Sequence, residues 1–249
     1  MARLKRLVTP KFWRIAKKQS KWTVSTRAGP HKKFESIPIQ IVLREILKLV
    51  ETGKEAETVL KKREILVDGR VVTDHAFPVG LMDVLSIPKI KKFYRCTVTK
   101  DGLKLIEINE SESKVKLCRV KNKTTERDGK QQVNLHDGRN ILVEAGKETF
   151  STGDSVLIEL PKQKIAEHVK LEKGSAVLII GGENAGVIAR VKDVIIVKGK
   201  EPNKVIFEYE GKTNETIADH VMVVGKTKPI ITIALAESER SESDRSESD

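Results

Sequence analysis

The side chains of this sequence that could do chemistry fall into two groups, scattered ligands and nucleophiles on one side and concentrated cations on the other. His31, His75, His136, His168 and His220 stand singly along the 249 residues, with no Ser-His-Asp elbow, metal triad or nucleotide loop. Cys96 and Cys118 lie 22 residues apart, each alone, with no Cys-x-x-Cys and no His at metal-ligand spacing. They read as small buried hydrophobes on strands, so no metal, no cofactor and no small-molecule substrate is expected. The cations are another matter. The first 34 residues carry Arg3, Lys5, Arg6, Lys11, Arg14, Lys17, Lys18, Lys21, Arg27, Lys32 and Lys33, no Asp or Glu, and the rings Phe12, Trp13, Trp22 and Phe34. Phosphates would neutralise such charges and release counterions, while rings stack on unpaired bases at ~1–3 kcal/mol each. His31, between Pro30 and Lys32, reads as part of an RNA-contacting turn in that arm.

An isolated segment of this kind repels itself and buries little, so a polyanion is its expected source of order. A transit peptide is also basic, but such peptides favour Arg; here Lys leads seven to four, and Pro10, Gly29 and Pro30 interrupt. No stretch of about 18 apolar residues points to a membrane span, and a soluble protein retained in the cytoplasm is expected. The net charge of +12 is unevenly spread: the run from Glu237 to Asp249 holds six acids and two arginines, leaving +16 on the rest. That Ser-, Glu- and Asp-rich run cannot build a core and reads as a disordered solubilising tail.

The elements that must position these groups follow from periodicity. Ser36-Ile37-Pro38 suits a helix start, and Ile39, Val42, Leu43, Ile46 and Val50 share one face of a helix ending near Gly53. A second helix runs from about Lys54 to Lys62, with Ala56, Val59 and Leu60 inward. Ile65-Leu66-Val67, Asp68-Gly69 and Arg70-Val71-Val72 then read as a two-residue hairpin, followed by a turn and a returning strand to Ile87. From Phe93 to Leu171 short strands alternate with turn signals at Asp101-Gly102, Asp128-Gly129, Asp137-Gly138 and Gly153-Asp154. There Arg119, Lys121 and Lys123 carry a strand into a basic loop that suits RNA contact. Finally Ala176–Ile180, the run Gly181-Gly182-Glu183-Asn184-Ala185-Gly186 and Val187–Val191 read as strand, glycine turn and strand, with the glycines permitting positive φ and close approach of another backbone. Strands over 204–209 and 216–224 complete a small barrel.

The helix–helix–hairpin order resembles the S4-type RNA-binding domain. That resemblance implies a helix pair presenting basic side chains to folded RNA, which points to Arg44, Lys48, Lys61, Lys62, Arg63 and Arg70. The run through Gly181, Gly182, Asn184 and Gly186 resembles the KOW motif of SH3-like barrels, although Glu183 stands in the turn where that motif commonly has more Lys. End to end the chain resembles the archaeal and eukaryotic-type S4e family of small-subunit ribosomal proteins. The residues that carry the likeness are Leu4-Lys5-Arg6, Pro10-Lys11-Phe12-Trp13, Gly29-Pro30-His31-Lys32, Asp68-Gly69-Arg70-Val71, Met82-Asp83-Val84, Lys116-Leu117-Cys118-Arg119-Val120 and the glycine turn.

The resemblance implies an α+β multidomain protein with a basic RNA-binding arm over 1–36, an S4-type domain over 37–92, a central β domain over 93–170, a KOW SH3-like barrel over 171–236 and the acidic tail over 237–249. It implies a structural constituent of the small ribosomal subunit, in contact with small-subunit ribosomal RNA and neighbouring ribosomal proteins, and not an enzyme. The rival class is an RNA-modifying enzyme, since S4-type domains also accompany such catalysts, but the isolated histidines give it no machinery. A transcription elongation factor would account for the KOW turn alone. In the scaffold reading the compact modules dock on folded RNA while the arm orders in a crevice that rigid domains could not enter.

Overall fold

The computed structural model describes residues 3–126, 129–144, 150–209 and 211–233; the acidic tail and Asp128 of the Asp128-Gly129 turn lie outside the described residues. The molecule is mostly β with few helices.

The arm packs on itself and on the module that follows it. Its strands β1 (Arg3–Lys5) and β2 (Trp22–Val24) pair antiparallel, and Trp13, 1 % exposed, joins Ile15 in the core of the following module. The Trp13 Nε1–H donates to the Ser36 carbonyl at 3.0 Å. The buried indole and isoleucine give the arm apolar contact with the body, a source of order that its charge does not reveal.

Ser36 and Pro38 form strand β3 (Ser36–Pro38) rather than a helix cap, and helix α1 opens at Ile39–Ile41 and widens into a π turn over Val42–Ile46. It stops at Leu47, because Lys48 takes a left-handed φ of 51°. Val50 still packs against the core from the loop. Gly53 therefore does not end the first helix; it begins α2 (Gly53–Lys61), where Thr52 and Glu55 form a reciprocal capping box. The hairpin β4 (Leu66–Val67) and β5 (Arg70–Val71) turns through Asp68 at φ 52° and Gly69 at φ 73°, the two positive values of a type I′ turn.

Strand β6 (Pro78–Gly80) pairs with β3, and β7 (Val84–Ile87) pairs with both β4 and β8 (Lys92–Thr99), which in turn pairs with β9 (Gly102–Ile108). The resulting sheet, ordered β5-β4-β7-β8-β9, runs without a break across residue 92, where sequence texture set a domain edge. A second antiparallel sheet is centred on the long strand β10 (Val115–Thr125), flanked by β11 (Gln131–Leu135) and β12 (Asn140–Val143) on one side and by β13 (Ser155–Glu159) and β14 (Lys164–Val169) on the other.

The third sheet holds β15 (Ala176–Ile179), β16 (Ile188–Ile195), β17 (Lys204–Tyr209), β18 (Lys212–Ile217) and β19 (Val221–Gly225), in the order β18-β17-β16-β15-β19. The strand expected over 216–224 is divided, because a 3₁₀ turn at Ala218–His220 separates β18 from β19. Cys96 on β8 and Cys118 on β10 are buried as expected. One apolar cluster, including Leu81, Met82, Leu117, Leu178, Met222 and Ile231, joins all three sheets.

Candidate nucleic-acid interface

Where the arm meets the first two sheets lies a knot of buried charge. Lys116 on β10 is 0 % exposed, and its Nζ stands 2.6 Å from Asp83 Oδ1, 2.7 Å from Asp68 Oδ2 and 3.0 Å from Asp137 Oδ2. Arg139 reaches Asp68 Oδ2 at 2.7 Å and Asp137 Oδ2 at 3.0 Å, and His31 Nε2 meets Asp83 Oδ1 at 2.8 Å. The remaining carboxylate oxygens accept backbone N–H groups, Asp68 from Val84 and Asp83 from Gly80, both at 2.9 Å. The carboxylates come from the hairpin turn, the turn before β7 and the β11–β12 turn, and the cations from β10 and the end of that β11–β12 turn. His31 comes from the arm. Arm, first sheet and second sheet are thus tied at one point.

The ionisation of the knot follows from its burial. Desolvation alone would lower the Lys116 pKa, but the Asp83 and Asp68 carboxylates reverse it and hold the ammonium well above its ordinary value. Burial works to raise the Asp83 carboxyl, and Lys116 with His31 outweighs it, leaving Asp83 far below the usual range. Asp137 is brought down to about 2 by Lys116 against the same burial. At Asp68 burial outweighs Lys116, so its pKa is raised. Burial and the neighbouring Lys116 charge push His136 down to about 4, so its ring is neutral. In the tautomer that suits both contacts, Nε2–H donates to the Leu81 carbonyl at 3.2 Å and Nδ1 accepts the Arg119 backbone N–H at 3.2 Å.

Cys118, His136 and Asp137 bring ligand-type atoms within 4.8 Å of one another. The Cys118 thiol is pushed up by burial, both His136 nitrogens are engaged, and Asp137 already accepts from Lys116 and Arg139. The protein's own cations fill the role a metal would take.

Above the knot opens a cleft of about 710 Å³ where the three sheets and the arm meet. Lys11, Phe12, Lys32 and Phe34 of the arm line one wall, and the β8–β9 turn with Lys100 lines another. Arg119 and Lys121 come from β10, and Gly181, Ala185 and His220 from the third sheet. Phe34, 75 % exposed, offers an open aromatic face. Lys11, Lys100 and Lys121 make no ion pair among the described residues, whereas Lys32 pairs with Glu35 at 3.2 Å and Arg14 with Asp101. The Arg119 guanidinium bridges sheets, donating to the Ala218 and Asp219 carbonyls at 3.2 and 2.9 Å and to Asp219 Oδ1 at 2.9 Å. The glycine turn closes over the β8–β9 turn: Gly186, at φ 84°, would place a Cβ 2.5 Å from Thr99 Cα.

Three residues expected at an RNA surface lie inside instead. Trp13 is core, and His31 is spent on Asp83. Arg6 is buried, with Nε donating to the Ala16 carbonyl at 2.5 Å and a terminal nitrogen 3.0 Å from Glu45 Oε1. Trp13 and Arg6 hold folded chain together away from the cleft, whereas His31, though bonded to Asp83, lies in the cleft's lining.

The other cations are distributed around the cleft rather than in it. Lys5, Lys18, Lys21, Lys33 and Arg27 are exposed on the arm, and Lys17 is half-buried. Arg27 pairs with Asp74 at 3.1 Å, and Lys21 Nζ sits 5.7 Å from the Trp22 ring centre. Arg3 lies on β1. Lys48, Lys61, Lys62, Arg63 and Arg70 are exposed beside the helices and hairpin, while Arg44 is half-buried against Glu45 at 2.8 Å. Lys123 donates to the Phe150 carbonyl at 3.1 Å. Lys100 escaped notice in the sequence because a single lysine before Asp101-Gly102 looks like any solvated turn. Lys116, Asp68 and Asp83 escaped because a charged residue reads as surface until its partners are known.

A helix pair and hairpin joined to β modules, with cations and open rings gathered at one cleft, give the chain the make-up of a nucleic-acid-binding protein, and comparison with known proteins carries this to a family. The model for the S4 domain matches residues 37–85, that for the RS4NT domain residues 2–34, and that for Ribosomal family S4e residues 90–165. The small ribosomal subunit protein eS4 of Archaeoglobus fulgidus is 43 % identical over 234 residues, covering 93 % of this chain and 97 % of that protein. Its counterpart in Methanosphaera stadtmanae is 42 % identical over 92 % of this chain and 95 % of its own length. The crystal structure of the 30S ribosomal protein S4e from Thermoplasma acidophilum superposes with a TM-score of 0.66 at 28 % identity, covering 78 % of this chain and 96 % of that one. The chain belongs to the S4e family of ribosomal proteins, structural and non-enzymatic constituents of the small subunit.

Proposed function

We propose that this chain scaffolds small-subunit ribosomal RNA by receiving one stretch of it in the cleft between the three sheets, with the exposed cations of the helix pair and hairpin gripping a neighbouring duplex. The observation that carries this is the convergence of Lys11, Lys100 and Lys121, unpaired among the described residues, with the open ring of Phe34 around a single cleft. Free ammonium groups bind phosphate, and an exposed ring accepts a splayed base; that is how single-stranded RNA is held. The major groove of A-form RNA is too narrow for side chains, so recognition is of shape and of unstacked bases.

The third sheet serves in this reading as the KOW-type SH3-like barrel, its glycine turn packing against the β8–β9 turn rather than touching phosphate, as Glu183 also suggests. The division into arm, S4-type domain, central β domain and barrel then describes recognition units, although apolar cores are shared between them. Neighbouring small-subunit ribosomal proteins are the protein contacts, and the assembled subunit in the cytoplasm is the site of action. Among the described residues no helix is long and apolar enough to cross a membrane.

Ultraviolet cross-linking of the full chain to small-subunit ribosomal RNA, read by mass spectrometry, tests the proposal. Adducts on the peptides holding Phe12, Phe34 and Lys121 are expected. Adducts confined to the far faces of the sheets would contradict it.

A further inference from the structure

The arm also displays apolar surface, on the 3₁₀ turn Arg6–Val8 that follows β1. Leu7 and Val8 are each 68 % exposed and stand side by side, whereas Arg6 before them and Thr9 after them are buried. The turn is pinned at both ends. The Arg6 backbone N–H donates to the Lys21 carbonyl at 3.1 Å, and its guanidinium clasps the Ala16 carbonyl at 2.5 Å and Gln19 Oε1 at 3.2 Å. The Thr9 hydroxyl donates back to the Arg6 carbonyl at 2.8 Å. Two aliphatic side chains are thus held out in water by buried neighbours, the reverse of what water favours, and that fits a binding contact.

The surroundings define the partner. Lys5 precedes the turn, Lys17 and Lys18 lie in the segment that Arg6 clasps, and the Lys21 carbonyl accepts from the Arg6 N–H. None of these four lysines pairs with a carboxylate among the described residues, and Glu45, the acid bonded to Arg6, is shared with Arg44. An apolar pair among free ammonium groups complements a partner that is anionic and also has an apolar face. RNA has both, in its phosphates and in the faces of its bases. Stacking covers those faces along a continuous helix, and the shallow minor groove is lined by 2′-hydroxyls that an aliphatic side chain would strip of water. Base faces stand open where the stack breaks, at a bulge, a loop or a helix end.

We propose that Leu7 and Val8 pack against the open face of a base at a break in the ribosomal RNA stack, with Lys5, Lys18 and Lys21 on the flanking phosphates. The inference rests on the ribosomal RNA reading above and adds a contact apart from the cleft, whose lining includes neither Leu7 nor Val8. The contact has its own signature: an aliphatic side chain releases water rather than counterions, so its loss lowers affinity without altering the salt dependence.

The test is binding of the full chain to small-subunit ribosomal RNA over a range of salt, with 2′-hydroxyl acylation of the same complexes. A Leu7→Ser, Val8→Ser variant should bind about tenfold more weakly at every salt concentration, with the wild-type slope and the wild-type melting temperature. A Leu7→Met, Val8→Ile variant, which keeps the apolar surface, should bind like the wild type. One bulge, loop or helix end whose acylation the wild-type chain alters should return to its free-RNA reactivity with the serine variant, every other change being kept. If the serine variant melts early, Leu7→Gln alone decides: it must weaken binding about threefold at an unchanged slope. A serine variant that binds and footprints like the wild type would overturn the contact and leave the ribosomal RNA reading standing, and so would a loss that comes with a flatter slope. No binding by the wild-type chain would overturn the ribosomal RNA reading itself.

Discussion

Lys116 is the residue on which the arrangement turns. Replacing it with Met leaves Asp68, Asp83 and Asp137 with Arg139 as their only permanent cation, and removing one partner of a buried ion group typically costs about 3–5 kcal/mol. Lys116→Met should therefore lower the urea midpoint by that equivalent; a change under about 1 kcal/mol would mean the knot is not closed to water. The second residue-scale consequence is pH dependence. His136 is held at about 4 in the fold against an ordinary value of 6.5, so between those values the unfolded chain binds a proton that the native chain refuses. Stability should thus fall as pH drops from 6.5 towards 4, and fall further as Asp137 titrates between 3.8 and about 2. Asp68, with its pKa raised, works in the opposite direction. Nuclear magnetic resonance titration of the His136 ring should show a midpoint near 4; a midpoint near 6.5 would remove this account of acid sensitivity. None of this was legible in the sequence, because Lys116, Asp68 and Asp83 lie 15 to 48 residues apart and only the fold brings them within 3 Å.

Among the elements, the hairpin and the glycine turn were legible because their chemistry is local. Asp68-Gly69 has one favoured turn and adopts it. The end of the first helix was not legible: the apolar spacing continues to Val50, which packs from a loop, and the Thr52–Glu55 capping box was masked by reading Gly53 as a helix end. The glycine turn permits a comparison of two causes. Gly182 at φ 86° has open space around its missing Cβ, with only His220 Nδ1 at 3.9 Å, whereas Gly186 at φ 84° faces the Thr99 backbone. Gly182→Ala should cost only the left-handed strain, about 1–2 kcal/mol, and Gly186→Ala more than that, because the β8–β9 turn must move. Equal losses in thermal melts of the two full-length variants would show that the turns do not press on one another.

At the scale of the whole molecule, composition marked a chain for polyanions without showing that part of its charge is spent inside the fold. Half-buried strands and a basic arm look like separate modules in sequence, since cores shared between sheets leave no local trace. Here the Leu117–Met222 cluster spans three sheets, and the buried Arg95 guanidinium bonds Glu112 Oε2 at 2.8 Å and the Thr232 carbonyl at 3.0 Å, tying the chain's late segment to the first sheet. The arm's Lys11, Phe12 and Phe34 were picked out in the sequence and line the cleft; Lys100, which completes it, was not picked out. The central claim is that the knot and the shared cores hold these groups as one RNA-binding face. It is tested most directly by the salt dependence of binding to small-subunit ribosomal RNA, comparing the wild-type chain with a Lys11→Gln, Lys100→Gln, Lys121→Gln variant. Three phosphate contacts to single-stranded RNA should take about 2 from the slope of log affinity against log salt. A variant with the wild-type slope would contradict the account, because cations that bind no phosphate release no counterions.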